Sequence, residues 1–290
     1  MEALQDQFPL DALADALEVS PSGFEGHRQK PLRPRAQQDE QLRPIITESF
    51  IQSLSSYGSP RIQRDLRALG RRCGTNRISR LMREQGLRAK QKRRFRPMTT
   101  QSSHGLPPAE NWLAKVPAPD RPGQIWQSDI TYIETAEGWL YLAFTLDACS
   151  RRCLAYHCGD ELSAELVLTT FRRALRTAPP VAGLIHHSDR GIQYASAAFQ
   201  RQLASRSITP SMSRKANPYD NALAESFVAT LKTECFGGFI PPSKAVARLM
   251  LFQYIEGFYN PRRRHSALDY RSPLQFEQEM FPPNRNHQLN

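Results

Sequence analysis

No run of apolar residues in this sequence approaches the roughly 20 positions that a membrane-crossing helix requires. Cysteine is scarce as well. The five present (Cys73, Cys149, Cys153, Cys158, Cys235) form no CxxC pair and have no His–Cys spacing suited to zinc. Their number is odd, and the first segment is acidic and amphipathic rather than basic and then apolar. Both features argue against a signal peptide and a disulfide framework, so reduced thiols in the cytoplasm and no membrane contact are expected. Disorder is excluded too, since hydrophobic residues make up 40% of the 290 and charged residues only 23%.

Acidic residues are in short supply in one place. Residues 41–100 hold three Asp/Glu against fifteen Lys/Arg, whereas residues 1–40 hold eight against four and residues 101–290 seventeen against twenty. The net charge of +11 is therefore concentrated in one segment. That is the pattern of a module built to contact a polyanion such as nucleic acid.

Within this basic segment the apolar periodicity predicts three short helices over 41–86. Ile45, Ile46, Phe50 and Leu54 stripe the first. Ile62, Leu66 and Leu69 stripe the second, opened by Pro60, and Ile78, Leu81 and Met82 the third. Thr75 or Asn76 is expected to cap the third helix and Gly86 to end it. That leaves Arg77, Arg80 and Arg83 outward, either entering a major groove as on a recognition helix or simply solvated. The run Arg88–Arg96, with Lys90, Lys92, Arg93 and Arg94, has too few apolar residues for a core face and reads as an arm along phosphates. Upstream, Leu10, Leu13, Ala14 and Leu17 make a helical stripe that a turn at Ser20–Gly23 should end. Downstream, prolines mark a linker over 98–120, in which Asn111-Trp112-Leu113 is the piece expected to dock.

From residue 123 the texture changes to that of a folded α/β domain. Gln124–Ile133, Trp139–Leu146 and Arg152–His157 alternate as three strands of a meander, and Leu166, Val167, Phe171 and Leu175 stripe a helix. A buried strand at Gly183–His187, a helix near 196–205, a short strand near Ile208 and a helix from Tyr219 to Glu234 follow. This order is that of an RNase H-like fold, a mixed five-stranded sheet with flanking helices. It is preceded here by the small all-α helix-turn-helix module. The implied limits are a helical docking segment (1–40), the basic module and arm (41–97), the linker (98–120), the RNase H-like domain with its C-terminal helix (121–280) and a tail (281–290).

Three carboxylates stand out. Asp129 lies mid-strand in an otherwise apolar run, Asp189 where a buried strand ends, and Glu225 on a helix with 35 residues between it and Asp189. If the first and fourth strands are neighbours, the aspartates meet across the sheet and the helix presents Glu225 to them. Two-metal phosphoryl transfer requires such convergence, with ions about 3.5–4 Å apart, and hard Mg2+ prefers oxygen ligands. Singly, each has an ordinary reading, because a strand-end aspartate usually fixes a turn and a helix glutamate is usually solvated.

The flanking residues narrow the choice. Trp126-Gln127-Ser128-Asp129-Ile130-Thr131-Tyr132, His186-His187-Ser188-Asp189-Arg190-Gly191-Ile192-Gln193-Tyr194 and Asn217-Pro218-Tyr219-Asp220-Asn221-Ala222-Leu223-Ala224-Glu225-Ser226-Phe227 closely resemble the DDE integrase core. With Phe258-Tyr259-Asn260, Arg264-His265-Ser266-Ala267-Leu268 and Ser272-Pro273, they resemble the insertion-sequence transposases of the IS-three type, second-reading-frame product. Tyr57-Gly58, Arg61-Ile62 and Arg80-Leu81-Met82-Arg83 resemble the same family's helix-turn-helix module.

This resemblance implies a polynucleotidyl transferase in which Asp129, Asp189 and Glu225 hold two Mg2+ or Mn2+ ions. DNA would be cut at an element's terminal inverted repeats and joined to target DNA. It also implies a basic residue seven positions after the glutamate, here Lys232, on the same helix face about 10 Å away. A homo-oligomer on nucleoid DNA is expected, and a frameshift fusion to an upstream helix-turn-helix protein is implied. The rival readings are an inactive terminal-repeat regulator and a nuclease that hydrolyses without joining. Among lesser candidates, Asp147 should fix the turn after the second strand and Asp220 should cap the catalytic helix. Arg214, Lys215, Asn217 and Tyr219 should lie on a loop gripping the DNA end. One of His186 and His187 should be packed and the other near DNA. The cluster Arg262-Arg263-Arg264-His265 reads equally as phosphate-tracking or as solvating a helix end.

Overall fold

The computed structural model describes residues 7–28, 33–90, 109–214 and 218–282. Lys92, Arg93, Arg94, Lys215 and Asn217 lie outside these residues, and Tyr219 is described through its backbone alone.

Two short helices come first, α1 (Leu10–Ala16) and α2 (Pro21–Arg28). The turn expected at 20–23 is instead the start of α2. Ser20 Oγ accepts a hydrogen bond from the Gly23 N–H (3.0 Å), and Pro21 occupies the first helical position, where its missing N–H is no loss. Helices α3 (Pro34–Gln52), α4 (Ser59–Ala68) and α5 (Thr75–Glu84) form the three-helix module. Leu42, Ile46 and Phe50 pack against Ile62, Leu66, Ile78, Leu81 and Met82. The boundary expected at residue 40 falls inside α3. Leu54 and Leu69 lie just past their helices and are exposed. Gly70 and Gly86 end α4 and α5 with positive φ, and the next N–H reaches back in each case: Arg71 to Leu66 O and Leu87 to Met82 O, both 2.8 Å. Gly74, not Thr75 or Asn76, is the N-cap of α5.

The second half contains strands β1 (Ile125–Thr135), β2 (Gly138–Asp147) and β3 (Cys153–Gly159), helix α6 (Ala164–Thr177), and strand β4 (Ile185–Ser188). Helices α7 (Ile192–Ala195) and α8 (Ala197–Ala204) lead to β5 (Thr209–Met212). Helix α9 (Ala222–Leu231) runs on into a π-helical turn, Lys232–Phe236, and α10 (Lys244–Tyr254) into another, Ile255–Tyr259. A capping box of Ser272 and Gln275 starts α11 (Pro273–Met280). The sheet order is β3-β2-β1-β4-β5, with β1–β2 and β2–β3 antiparallel and β1–β4 and β4–β5 parallel. The α/β fold expected from the element order is the fold observed.

Alternation along the strands splits the core into two layers. Trp126 on β1 and Ala143 on β2 join α6 and α8, whereas Ile133, Leu140, Leu142, Phe144 and Leu146 face α9 and α10. The second layer is continuous with the core of the three-helix module, so sheet domain and module share apolar contacts. Tyr57 leads the docking: its ring lies 6.0 Å from that of Phe258, and its hydroxyl accepts from the Arg264 N–H (2.7 Å) and donates to Arg262 O (3.2 Å). Arg264 pairs with Asp65 (2.6 Å), Arg61 donates to Arg264 O (3.0 Å), and the Arg64 guanidinium covers the Tyr270 ring at 4.5 Å. Asn111-Trp112-Leu113 docks as expected, with the Trp112 N–H on Ser211 Oγ at 2.9 Å.

The module is thus held to the sheet domain by charged hydrogen bonds as well as apolar packing. Arg264→Ala leaves Asp65 with Ser49 Oγ but without its cation and should cost about 1–3 kcal/mol, lowering the melting temperature by about 2–10 °C. Circular dichroism melts check this. An unchanged melting temperature would show that Arg264 adds nothing to the docking.

Candidate active site

Asp129 lies in the middle of β1, opposite Phe144 of β2, and so on the sheet face that packs α9. The Phe144 ring stands 4.7 Å from that of Phe227 on α9, which fixes the helix across this face. β4 pairs with β1 in parallel, and Asp189 follows its last residue, Ser188. Glu225 stands in the first turn of α9 and is exposed, while Asp129 and Asp189 are half-buried.

The charges of these three groups bear on one another. Desolvation, then repulsion from Asp189, then the charge of Glu225 push the Asp129 carboxyl up to about 7; hydrogen bonds from Ile130 and Asn221 oppose this. Asp129 Oδ1 accepts from the Ile130 N–H (2.8 Å) and Oδ2 from Asn221 Nδ2 (3.1 Å). Asp189 Oδ1 accepts from the Gly191 N–H (2.9 Å). Lys232 begins the π-helical turn after α9 and is half-buried. Burial lowers its pKa, and the charge of Asp129 opposes that shift. Strands β1 and β4 and helix α9 therefore place Asp189, Glu225 and Lys232 within range of the Asp129 charge. Among the described residues, however, no three His, Cys, Asp or Glu side chains are gathered closely enough to enclose a metal ion. The carboxylates face a common region without forming a finished cage.

The donor set has the chemistry of a hard-cation site. It offers carboxylate oxygens whose mutual repulsion a dication relieves, and a buried amide oxygen, Asn221 Oδ1, without a partner. The nearby histidines are spoken for. His186 Nε2 lies 2.9 Å from Ser128 Oγ, and His187 contacts Ser211 Oγ (2.9 Å) and Ser213 Oγ (3.0 Å). Burial pushes His186 down to about 3 and His187 to about 4, so both are neutral. His187 is therefore not a DNA contact but a core residue bonded to serines.

Several expectations change in the same way, because basic side chains find acidic partners within the chain. Arg77 and Arg80 do not stand free. Both reach Asp39 of α3 at 2.6 Å, and their side chains are 20% and 42% exposed. Arg80 and Arg77 in turn hold the Asp39 carboxyl below the usual range. Of the three residues, Arg83 alone is exposed. Lys90 extends no arm; its Nζ donates to Glu234 O at 2.7 Å. Asp220 does not cap α9. It accepts from the Arg214 N–H (2.9 Å), from the Arg214 guanidinium (3.1 Å) and from Asn111 Nδ2 (2.8 Å). Asp147 fixes its turn as expected, accepting from Gly123 (2.7 Å) and Ser150 (2.8 Å). Arg263 is buried on Glu234 and Arg264 pairs with Asp65, so within that cluster only Arg262 faces solvent.

The site also contains residues that the sequence reading passed over. Asn221 holds Asp129, and Gly191 leaves room for Asp189: a Cβ there would lie 3.0 Å from Asp189 Oδ1. The phenol of Tyr194, buried among aromatics, is raised by desolvation and then by the charges of Asp129 and Asp189. Each lies within a quoted motif, but a sequence motif carries no sign of which of its residues touches the carboxylate.

Comparison with known proteins identifies the family. An integrase core domain family matches residues 119–218, a second integrase core family matches 206–273, and an HTH-like domain family matches 37–95. The chain is 42% identical over 261 residues to an uncharacterised 31 kDa protein of insertion element IS600 from Shigella sonnei, covering 90% of this chain and 96% of that one. It is 38% identical over 279 residues to the transposase InsF for insertion sequence IS3A of Escherichia coli, covering 96% of each. Among solved structures, a simian T-cell lymphotropic virus intasome in complex with a PP2A regulatory subunit matches at 18% identity and a TM-score of 0.47, over 83% of this chain and 76% of that one. Among the described residues no helix is long and apolar enough to cross a membrane.

Proposed function

Because the chain belongs to the insertion-sequence transposases of the IS3 type and carries their integrase core and helix-turn-helix-like domain, we propose that it cuts DNA at element ends and joins the freed 3′ ends to another strand. Asp129, Asp189 and Glu225 are its metal-binding carboxylates. The reading is carried by one observation: a strand centre, a strand end and a helix deliver acidic groups, and burial followed by the charges of Asp189 and Glu225 lifts Asp129 to about 7. Such crowding is unfavourable in an apoprotein and is relieved by divalent cations.

Mg2+ or Mn2+, two per site, when bound supplies Lewis-acid stabilisation of the attacking and leaving oxygens of an in-line displacement. The chain's own groups do the rest. Asp129 and Asp189 fix the ion-binding side of the site from adjacent strands, and Glu225 closes it from α9. Lys232, half-buried beside Asp129, offers a cation to a DNA phosphate at the same place. Arg83 and the basic segment that follows hold the duplex through phosphates, and Arg214, Lys215, Asn217 and Tyr219 meet the DNA end. The working form is a homo-oligomer on DNA, made alone or as a fusion to an upstream-frame protein, and it acts on nucleoid DNA in the cytoplasm.

Labelled element ends incubated with the protein and Mg2+ test the reading. Joined product, absent with Asp129→Asn, is expected. Cleavage without joining would make the protein a nuclease, and binding without either would make it a regulator.

Gly191 supplies a finer check. Its φ of −61° suits any residue, so alanine changes only the space beside Asp189. Gly191→Ala would bring its methyl within 3.0 Å of Asp189 Oδ1 and 3.1 Å of Gln193 Oε1. Joining should fall about tenfold to a hundredfold with little change in melting temperature, because small displacements of a catalytic group cost that much. A fully active alanine variant would show that Asp189 tolerates displacement and is not a ligand.

A further inference from the structure

Asn221 occupies the N-cap position of α9, a place where asparagine normally accepts a bond from the first turn, yet its side chain makes no capping bond. Its Nδ2 donates to Asp129 Oδ2 instead (3.1 Å). When ionised, as a cation ligand is, Asp129 can only accept, so the amide turns its NH2 toward it, and this strands the other end. Asn221 Oδ1 is buried without a hydrogen-bond partner. An orphaned buried carbonyl in a native structure calls for an explanation.

The neighbouring residues point to one. Asp220 anchors the same short 3-10 turn to Arg214 and Asn111, on the β5 side, while Asn221 anchors it to β1. Glu225 follows Asn221 by four positions, about one helical turn. The Asn221–Asp129 bond therefore sets where α9 begins relative to β1, and with it where Glu225 stands relative to Asp129.

We infer that Asn221 is a positioning residue for the divalent-cation site: its NH2 fixes the Asp129 carboxylate and the start of α9, and its free carbonyl is kept for a donor that enters with the hydrated ion. This rests on the assignment of Asp129, Asp189 and Glu225 as the ion's ligands. Groups that orient a ligand from outside are worth about 10- to 100-fold in metal affinity.

The test is Mn2+ binding to the full chain, followed by loss of the free-ion paramagnetic resonance signal. Asn221→Ala and the similarly sized Asn221→Leu should each weaken binding about 10- to 100-fold with melting temperatures near that of the parent. In strand joining, both should shift the Mn2+ midpoint upward. A purely structural role would lower the melting temperature and leave Mn2+ affinity unchanged, and parental Mn2+ affinity in both variants would overturn the inference. Asp129→Asn separates the two levels. If it binds Mn2+ as the parent does, the ligand assignment fails; if it loses binding while both Asn221 variants keep it, only the role of Asn221 fails.

Discussion

Asp129→Asn is expected to lower strand joining by about three orders of magnitude or more and, at the same time, to raise the melting temperature of the metal-free protein above pH 7. The first effect follows from removing a charged ligand whose contribution to a two-metal site amounts to several kcal/mol. The second follows from linkage. In the folded chain the Asp129 carboxyl takes up its proton at about 7, because burial and then the Asp189 charge disfavour the anion. An unfolded aspartate does so near 4. Between those values the folded state binds more protons than the unfolded state, so stability falls as pH rises from about 4 to about 7 and stays at the lower level above. Asparagine has no charge to desolvate. The variant should therefore melt near the parent at pH 4 and above it at pH 8, and Mn2+ should stabilise the parent only. Melting curves at the two pH values check this. A variant that is less stable than the parent at pH 8 would show that Asp129 is not under repulsion.

The largest expected effect on stability lies nine residues beyond Glu225. Glu234, in the π-helical turn that begins with Lys232, is buried with Arg263 in a two-pronged pair, both contacts 2.7 Å, and accepts from Tyr254 Oη at 2.8 Å. The guanidinium holds its raised proton affinity chiefly against burial, through the hydrogen bond to Glu234. Glu234→Ala leaves that cation buried and unpaired, which costs about 3–5 kcal/mol. Chemical denaturation should show a loss of that size. Replacing both partners with apolar residues of similar volume, Glu234→Leu with Arg263→Met, should recover most of it, because the desolvation of both charges is removed together. If the single variant keeps parental stability, the pair is not what holds the turn.

What could be read from the sequence followed from periodicity and local chemistry. Alternation marked β1 to β3. Gly86 marked a helix end because its positive φ is a local requirement. Asp129, Asp189 and Glu225 were legible through their flanking motifs, and the sheet order that makes β1 and β4 neighbours was the condition on which their meeting depended.

What was not legible depended on partners distant in the chain. Arg77 and Arg80 look like solvent-facing arginines until α3 brings Asp39 beside them. One of His186 and His187 reads as a DNA contact, but Ser128 meets the first and Ser211 and Ser213 close over the second. Asp220 stands where a cap would, and Asn221 after it, yet one grips Arg214 and the other Asp129. Nor does a proline-rich linker show that Tyr57 and Phe258, on either side of it, share an apolar surface.

Diffraction from the full chain crystallised with Mn2+, collected at the manganese absorption edge, bears most directly on the central claim. The expected map has anomalous density bounded by oxygens of Asp129, Asp189 and Glu225, with Glu225 drawn inward from its exposed position. Ordered carboxylates with no anomalous density between them, or manganese held only elsewhere on the chain, would contradict it.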